Sequence, residues 1–343
     1  MTGEKNVNDR LKSDIVISSR VRLARNFDRY PFPFRMSREQ SLKLLSEVKD
    51  IVINSSATAA DNFYFVEIQK LNPVDRQALV EKHLISPDLA ESQIESAAII
   101  SKDETISIMV NEEDHIRIQC LYPGMQIDAA WQLCNNIDKL FEERVDYAFS
   151  KDFGYLTSCP TNVGTGIRAS VMLHLPALVM TGYIRSVLEA CSKLSIAVRG
   201  MYGENTEASG NMFQISNQVT LGQTEQEIIA NIISVASQII EQERVLRNEL
   251  YKQNPYRFED KVYRSLGLFT NARIMSSEEC MKLISDVRLG IDMGIIKDID
   301  RNTLDNIMLL IQPANLQKTI GKPLSPEERD LRRAELIRTL IKR

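Results

Sequence analysis

Residues Ser158 to Leu175 read SCPTNVGTGIRASVMLHL, and this stretch concentrates anion chemistry in what reads as a turn. Pro160, Gly164 and Gly166 allow a tight backbone that approaches its neighbours closely. Arg168 leaves that turn with a planar, permanently charged fork suited to phosphate oxygens. A phosphate-handling segment and an ordinary tight turn fit these residues equally well in isolation. Read as a turn, the stretch divides the strand-like runs of the chain into those before it and those after it, and the rest of the sequence decides between the two readings.

Strand candidates are Phe63 to Ile68, Thr105 to Val110, Ile116 to Leu121, Ser195 to Arg199 and Met212 to Ser216, short runs that predict a mostly antiparallel sheet. Amphipathic helices are predicted for Met36 to Ile53, Ile127 to Phe149 and Thr224 to Leu250, the last opening on a capping box of Thr224 with Glu227. Asn254 and Pro255 stop that helix. Beyond them the chain reads as helices, among them Ser276 to Leu289, Asp300 to Leu310 and Ser325 to Ile341. The fold class is therefore α/β in the α+β sense: an antiparallel sheet flanked by helices, with a small all-helical C-terminal domain. The division expected is a catalytic domain over 14–252 and a helical domain over 256–343.

With 343 residues the chain can bury a substantial core. A net charge of −4 offers no basic excess for wholesale binding of nucleic acid, although local arginine clusters can still take phosphate. The opening is polar and no run of apolar residues reaches membrane-spanning length, so a cytoplasmic protein that neither binds nor crosses a membrane is expected. Cysteines at 120, 134, 159, 191 and 280 are odd in number and lack metal-type spacing, which argues for free thiols in a reducing compartment and against a zinc site. Four sit in apolar contexts as small core residues. Cys159 lies beside the turn with arginines nearby, a setting that can activate a thiol.

Four further motifs accompany the first. Ser18-Ser19-Arg20-Val21-Arg22 places two arginines at strand spacing, so that both can share a face. Asn111-Glu112-Glu113-Asp114-His115-Ile116-Arg117 joins two strand-like runs. Arg199-Gly200-Met201-Tyr202-Gly203-Glu204 begins a glycine-bearing loop of the kind that closes over substrates or simply turns. Arg329-Asp330-Leu331-Arg332-Arg333-Ala334 lies on the last predicted helix; its plainest reading is an ion pair on a wet surface. Together Arg20, Arg22, Arg117, Arg168 and Arg199 supply enough charge for a triphosphate, and a phosphoryl transition state is stabilised largely by positioning and fixed positive groups. No G-x-x-x-x-G-K-[ST], HRD or DFG segment is present, which excludes the P-loop and protein-kinase solutions. Glu113 and Glu204 then suggest the acceptor. A guanidinium, protonated up to a pKa above about 12, becomes a nucleophile only when a carboxylate aligns it and removes a proton.

The set SSRVR, NEEDHIR, CPTNVGTGIRASV and RGMYGENTE resembles that of the phosphagen (guanidino) kinases from about Asp14 to Leu250, and within them the bacterial protein arginine kinases. RDLRRA is similar to the RDxxRA motif of the latter, and the first arginine motif begins at Ser18 without the leading helical domain of the small-molecule guanidino kinases. The resemblance implies a strongly bent antiparallel sheet and ATP contacts from Ser18, Ser19, Arg20, Val21 and Arg22, from Arg117, from Arg168, Ala169, Ser170, Val171 and Met172, and from Arg199 through Gly200, Met201, Tyr202 and Gly203 to Glu204. His83 joins them by a looser match. Glu113 and Glu204 would be the catalytic carboxylates, Cys159 the family's reactive cysteine, and Arg329, Asp330, Arg333 and Ala334 a phosphoarginine-binding set. Met172 stands where the metabolite kinases commonly carry histidine, so its contact is expected through backbone, and His174 is expected to be packed. Magnesium is implied with ATP, without a protein cage. Also implied are homodimerisation, protein substrates with exposed arginine, a heat-shock repressor as target, a Clp-type unfoldase that receives marked proteins, and a zinc-binding activator protein. Two alternatives remain at this level: a metabolic kinase acting on free arginine, and an inactive adaptor that binds phosphoarginine.

Overall fold

The computed structural model describes residues 14–53, 62–200 and 208–341. Strand β1, Val16–Arg25, is the spine of the molecule, because period-two alternation sends Ser19, Val21 and Leu23 into the core and Arg20 and Arg22 to the opposite face. Helix α1 (Arg38–Ile53) follows and buries Leu44, Leu45, Val48, Ile51 and Val52 at helical spacing. Next come β2 (Phe63–Glu67), α2 (Pro73–Glu81), α3 (Pro87–Ala90), β3 (Ala97–Ser101), β4 (Ile106–Val110) and β5 (Ile116–Pro123). Helix α4 (Ile127–Glu142) precedes the short pair β6 (Phe149–Ser150) and β7 (Gly154–Tyr155). Strand β8 (Ile167–His174) leads through α5 (Pro176–Met180) and α6 (Ile184–Lys193) to β9 (Ile196–Gly200) and β10 (Met212–Asn217).

The long helix α7 (Glu225–Gln253) closes this part. Its capping box is formed, with the Thr224 N–H donating to Glu227 at 2.8 Å and the Glu227 N–H donating to Thr224 Oγ1 at 3.2 Å. Asn254 separates it from α8 (Pro255–Asn271), whose start it caps. Helices α9 (Ser277–Asp292), α10 (Arg301–Leu310), α11 (Pro313–Ile320) and α12 (Pro326–Ile341) complete the chain. Among the described residues no helix is long and apolar enough to cross a membrane.

The main sheet has the order β2-β3-β4-β5-β1-β8-β10-β9 and every pairing is antiparallel. One large core lies between the sheet and helices α1, α4 and α7, and a separate core joins α8, α9, α10 and α12. The expected strands and capped helices are present, and three departures concern the main sheet and its surroundings. Ile167–His174 is not part of a turn but a central strand, paired on both sides. Strand β3 was not expected, because it is buried throughout and carries no alternation. The helix expected to reach Phe149 ends at Glu142. Beyond it the chain is captured in extended form by the end of β1, where Asp28 N donates to Asp146 O at 3.0 Å and Ala148 N to Asn26 O at 2.8 Å. Tertiary pairing there outweighs local helix propensity.

Candidate active site

Register is what gathers the arginines. In an antiparallel pair, residues directly opposite share a face, and Arg22 is opposite Gln119 of β5 and Arg168 of β8. Arg117 is opposite Ala24, Gln214 of β10 opposite Met172, and Arg199 of β9 opposite Gln214. Four strands, β1, β5, β8 and β9, thus present Arg20, Arg22, Arg117, Arg168 and Arg199 to one cavity of about 480 Å³, and β10 adds Gln214. Its far wall is Gln77, Val80 and Glu81 of α2 and the segment from His83 to Pro87. His83, with φ of 59°, ends the helix in the left-handed region.

The crowding is electrostatically costly. Burial, then Arg117 and Arg168, lowers the pKa of Arg20 to about 10. Burial, then chiefly Arg22, lowers Arg117 to about 9, with Asp88 opposing. Arg22 is pushed well below its ordinary value by burial and by Arg20, Arg168 and Arg199, and its buried Nε has no hydrogen-bond partner among the described residues. Burial and Arg20 hold His83 neutral, lowered to about 4. Local partners only steer the forks: Arg20 Nη2 donates to Gln214 at 2.7 Å, Arg168 Nη2 to Ser216 at 3.4 Å, and Arg117 pairs with Glu112, which also takes a hydrogen bond from Ser86. A site of this kind fits a multiply charged anion.

Glu113 sits on the loop between β4 and β5. That loop is braced by Asp114, whose Oδ1 accepts from Asn26 Nδ2 and from the Ser158 N–H, both at 2.7 Å, while Asn26 Oδ1 accepts from His115 N at 2.9 Å. The brace ties the Glu113 loop to the segment that carries Cys159, whose thiol lies 3.0 Å from Thr161 Oγ1 and favours the ionised form of Glu113. Burial and then Asp114 raise the Glu113 pKa, with the Cys159 hydrogen bond opposing, so its ionised form is a stronger base than an ordinary glutamate.

Several expectations need correction. Ser19, Val21, Ala169 and Val171 lie on the core face and none of them lines the cavity; Ser19, Val21 and Val171 are paired on both sides, while the Ala169 N–H donates to Asn217 Oδ1 at 2.8 Å. Ser19 instead holds the β5–α4 connection, donating to Gly124 O at 2.8 Å and accepting from Gln126 N at 3.0 Å. Met172 has its backbone paired on both sides. Met172 lines a small recess with Ser18, Arg20, His83, Leu121 and Ser170. Gly164 and Gly166 do approach backbone closely, but it is the protein's own: a Cβ would meet Thr220 O at 2.6 Å and Ala24 O at 2.7 Å, respectively. Gly200 lines the arginine cavity. Met201, Tyr202, Gly203 and Glu204 lie outside the described residues.

His174 is packed as expected, with Nε2 2.8 Å from Ser285 Oγ. The RDLRRA segment is wet only on one side, with Leu331 and Arg332 exposed and Arg333 and Ala334 buried. Arg333 is buried, donating from Nε to Ile311 O at 3.0 Å and from Nη1 to Met275 O at 2.7 Å and to Asp330 at 2.5 Å. Ala334 packs in the helical core. Arg329 remains partly exposed one turn earlier. Asn26, Asp114, Glu112, Gln119 and Gln214 were not foreseen as parts of the site; for Asp114 and Glu112, the signal available was only a run of three adjacent carboxylates.

The family model described as "ATP:guanido phosphotransferase, C-terminal catalytic domain" matches residues 43–246, and "Protein-arginine kinase McsB C-terminal domain" matches 255–343. The protein-arginine kinase of Caldanaerobacter subterraneus subsp. tengcongensis is 54% identical over 328 residues, covering 96% of this chain and 97% of that protein. The protein-arginine kinase of Bacillus subtilis is 51% identical over 327 residues, 95% of this chain and 90% of that protein. Among solved structures, a lombricine kinase shares the fold with a TM-score of 0.60 at 22% identity, covering 69% of this chain and 68% of its own. The duplicated taurocyamine kinase of Schistosoma mansoni, with bound transition state analog components, gives a TM-score of 0.61 at 26% identity over 70% of this chain and 34% of its own. The chain belongs to the ATP:guanido phosphotransferase family and, within it, to the protein-arginine kinases.

Proposed function

We propose that this kinase transfers the γ-phosphoryl group of ATP to arginine side chains of proteins, with Arg20, Arg22, Arg117, Arg168 and Arg199 holding the triphosphate and Glu113 orienting and deprotonating the acceptor. The observation that supports this most is the alignment of five arginines on one sheet face; Glu113, of raised pKa, does not line that cavity but follows Glu112, the partner of Arg117, on the β4–β5 loop. The phosphate oxygens relieve the mutual repulsion of the guanidinium groups, so binding energy and charge stabilisation of the transition state come from the same residues. The carboxylate of Glu113 pairs with the acceptor guanidinium, takes one N–H proton and leaves a lone pair directed at phosphorus; ADP departs with the bridging oxygen. Glu204 is proposed as the second carboxylate on the acceptor. Cys159 tunes Glu113 through its thiol hydrogen bond.

Among the described residues no group of three His, Cys, Asp or Glu side chains gathers to hold a metal, and the acid nearest the cavity arginines, Glu112, is paired with Arg117. Magnesium bound with the triphosphate would supply further neutralisation of charge on the phosphates. The resemblance set out above supports the wider setting proposed here. It comprises a cytoplasmic homodimer that phosphorylates arginine on client proteins including a heat-shock repressor, directs them to a Clp-type unfoldase, answers to a zinc-binding activator, and senses phosphoarginine through Arg329, Asp330, Arg333 and Ala334.

Incubation with ATP, magnesium and an arginine-rich protein should yield acid-labile phosphate on arginine, read by mass spectrometry under non-acidic handling. Glu113→Gln should lower that rate by about 10²- to 10⁴-fold. Phosphate found only on hydroxyl side chains, or turnover of free arginine with no labelling of protein, overturns the reading.

A further inference from the structure

Glu81 is the last residue of α2 and lines the arginine cavity, yet its buried carboxylate is engaged by the C-terminal helices. Helix α11 begins at Pro313 with no side-chain cap from its own Gln312. Glu81 supplies that cap from outside: its oxygens accept from the N–H groups of Ala314 and Asn315 and from Asn315 Nδ2, each at 2.8 Å. A carboxylate at a helix N-terminus satisfies orphan donors and complements the helix dipole. Lys318 adds an ion pair to Asp75 at 2.8 Å on the same joint.

On one side, α2 passes directly into the cavity wall. The His83 carbonyl after it accepts from Gln119 at 2.7 Å, and Ser86 donates to Glu112, the partner of Arg117. On the other side, α11 is anchored through Ile311, whose carbonyl accepts from the buried Arg333 of α12. A displacement of α2 relative to α11 would thus move the wall that faces the arginines.

We propose that Glu81 is a positioning residue. Through α2 it holds one wall of the arginine cavity against the C-terminal helices, so ATP affinity depends on residues of α11 that do not line the cavity. The inference rests on the reading of the cavity as the ATP site. Asn315 makes the joint from the opposite side and does not line the cavity, which separates loss of the joint from damage to the wall.

The test uses the full chain and its Glu81→Ala, Glu81→Gln and Asn315→Ala variants, with ATP affinity from calorimetry and KM and kcat from steady-state phosphorylation. Glu81→Ala and Asn315→Ala should each weaken ATP binding by about fivefold or more, raising KM for ATP with a much smaller change in kcat. Glu81→Gln, which keeps acceptor oxygen but loses the charge, should fall between Glu81→Ala and the unaltered chain. If Glu81→Ala does not fold, Asn315→Ala and Glu81→Gln decide. Folded variants that lose thermal stability but bind ATP as the unaltered chain does would assign Glu81 a purely structural role and overturn the inference. Failure of the unaltered chain to bind ATP would instead overturn the reading of the cavity, and the inference with it.

Discussion

The two faces of β1 treat arginine in opposite ways. Arg25, on the core side, is fully buried, yet its fork is answered: Nε and Nη2 donate to Asp138 at 3.1 and 2.7 Å, Nη1 donates to the carbonyls of Ala24 and Thr165, and the Tyr155 ring lies 3.6 Å from the guanidinium carbon. Burial works to lower its pKa, but Asp138, followed by Tyr155 and Tyr147, reverses that and raises it. Three residues earlier Arg22, on the cavity side, meets mainly other arginines and is driven down. Burial alone therefore does not distinguish a structural cation from a functional one. The distinction lies in whether the protein supplies the counter-charge or leaves it to a ligand.

The largest effect expected from that contrast is on stability. Asp138→Ala leaves Arg25 buried without its carboxylate and should cost about 3 to 5 kcal/mol in urea unfolding; a loss no greater than that of an exposed pair, about 1 kcal/mol or less, would break the comparison. Arg22→Ala should behave oppositely. Without nucleotide the variant should be at least as stable as the unaltered chain, because a repelling charge is gone. The gain that the unaltered chain shows with ATP, about 2.7 kcal/mol at a hundredfold excess over Kd, should largely vanish. A marked loss of stability in nucleotide-free Arg22→Ala would place it with Arg25.

The smallest effect concerns the pH profile. Glu113 must be ionised to accept a proton, so kcat/KM should rise with pH along an acid limb whose midpoint lies above the ordinary 4.5. The Cys159 thiol stabilises the ionised form, and Cys159→Ala should move this limb to higher pH. No movement, or movement to lower pH, would remove Cys159 from the tuning of the base.

Much of the site was legible because its residues follow strand alternation. Arg20 and Arg22 share a face for the same reason that Val21 cannot, and the flat inclusion of Ser19, Val21, Ala169 and Val171 ignored that period. The glycines before Arg168 pointed to close backbone approach but not to its partner, which is Thr220 and Ala24 rather than a phosphate. RDLRRA announced a charged helix face, whereas packing against Met275 and Ile311 decided that Arg333 would be buried. Two pairings next to the cavity carried no signal as pairings: the brace of Asn26 with Asp114, 88 positions apart, and the Glu81 cap on α11, reached across more than two hundred positions.

By itself the amino-acid order determined the residue types of the site, the periodicity that forms the strands, the capped starts of α7, α9 and α12, and the break at Asn254, all set by interactions among near neighbours. Only the tertiary structure decided that β8 lies between β1 and β10, which bases and cations meet, and which arginines receive counter-charges. Electrostatic energies depend on distance and burial in space, and strand register across the sheet sets both.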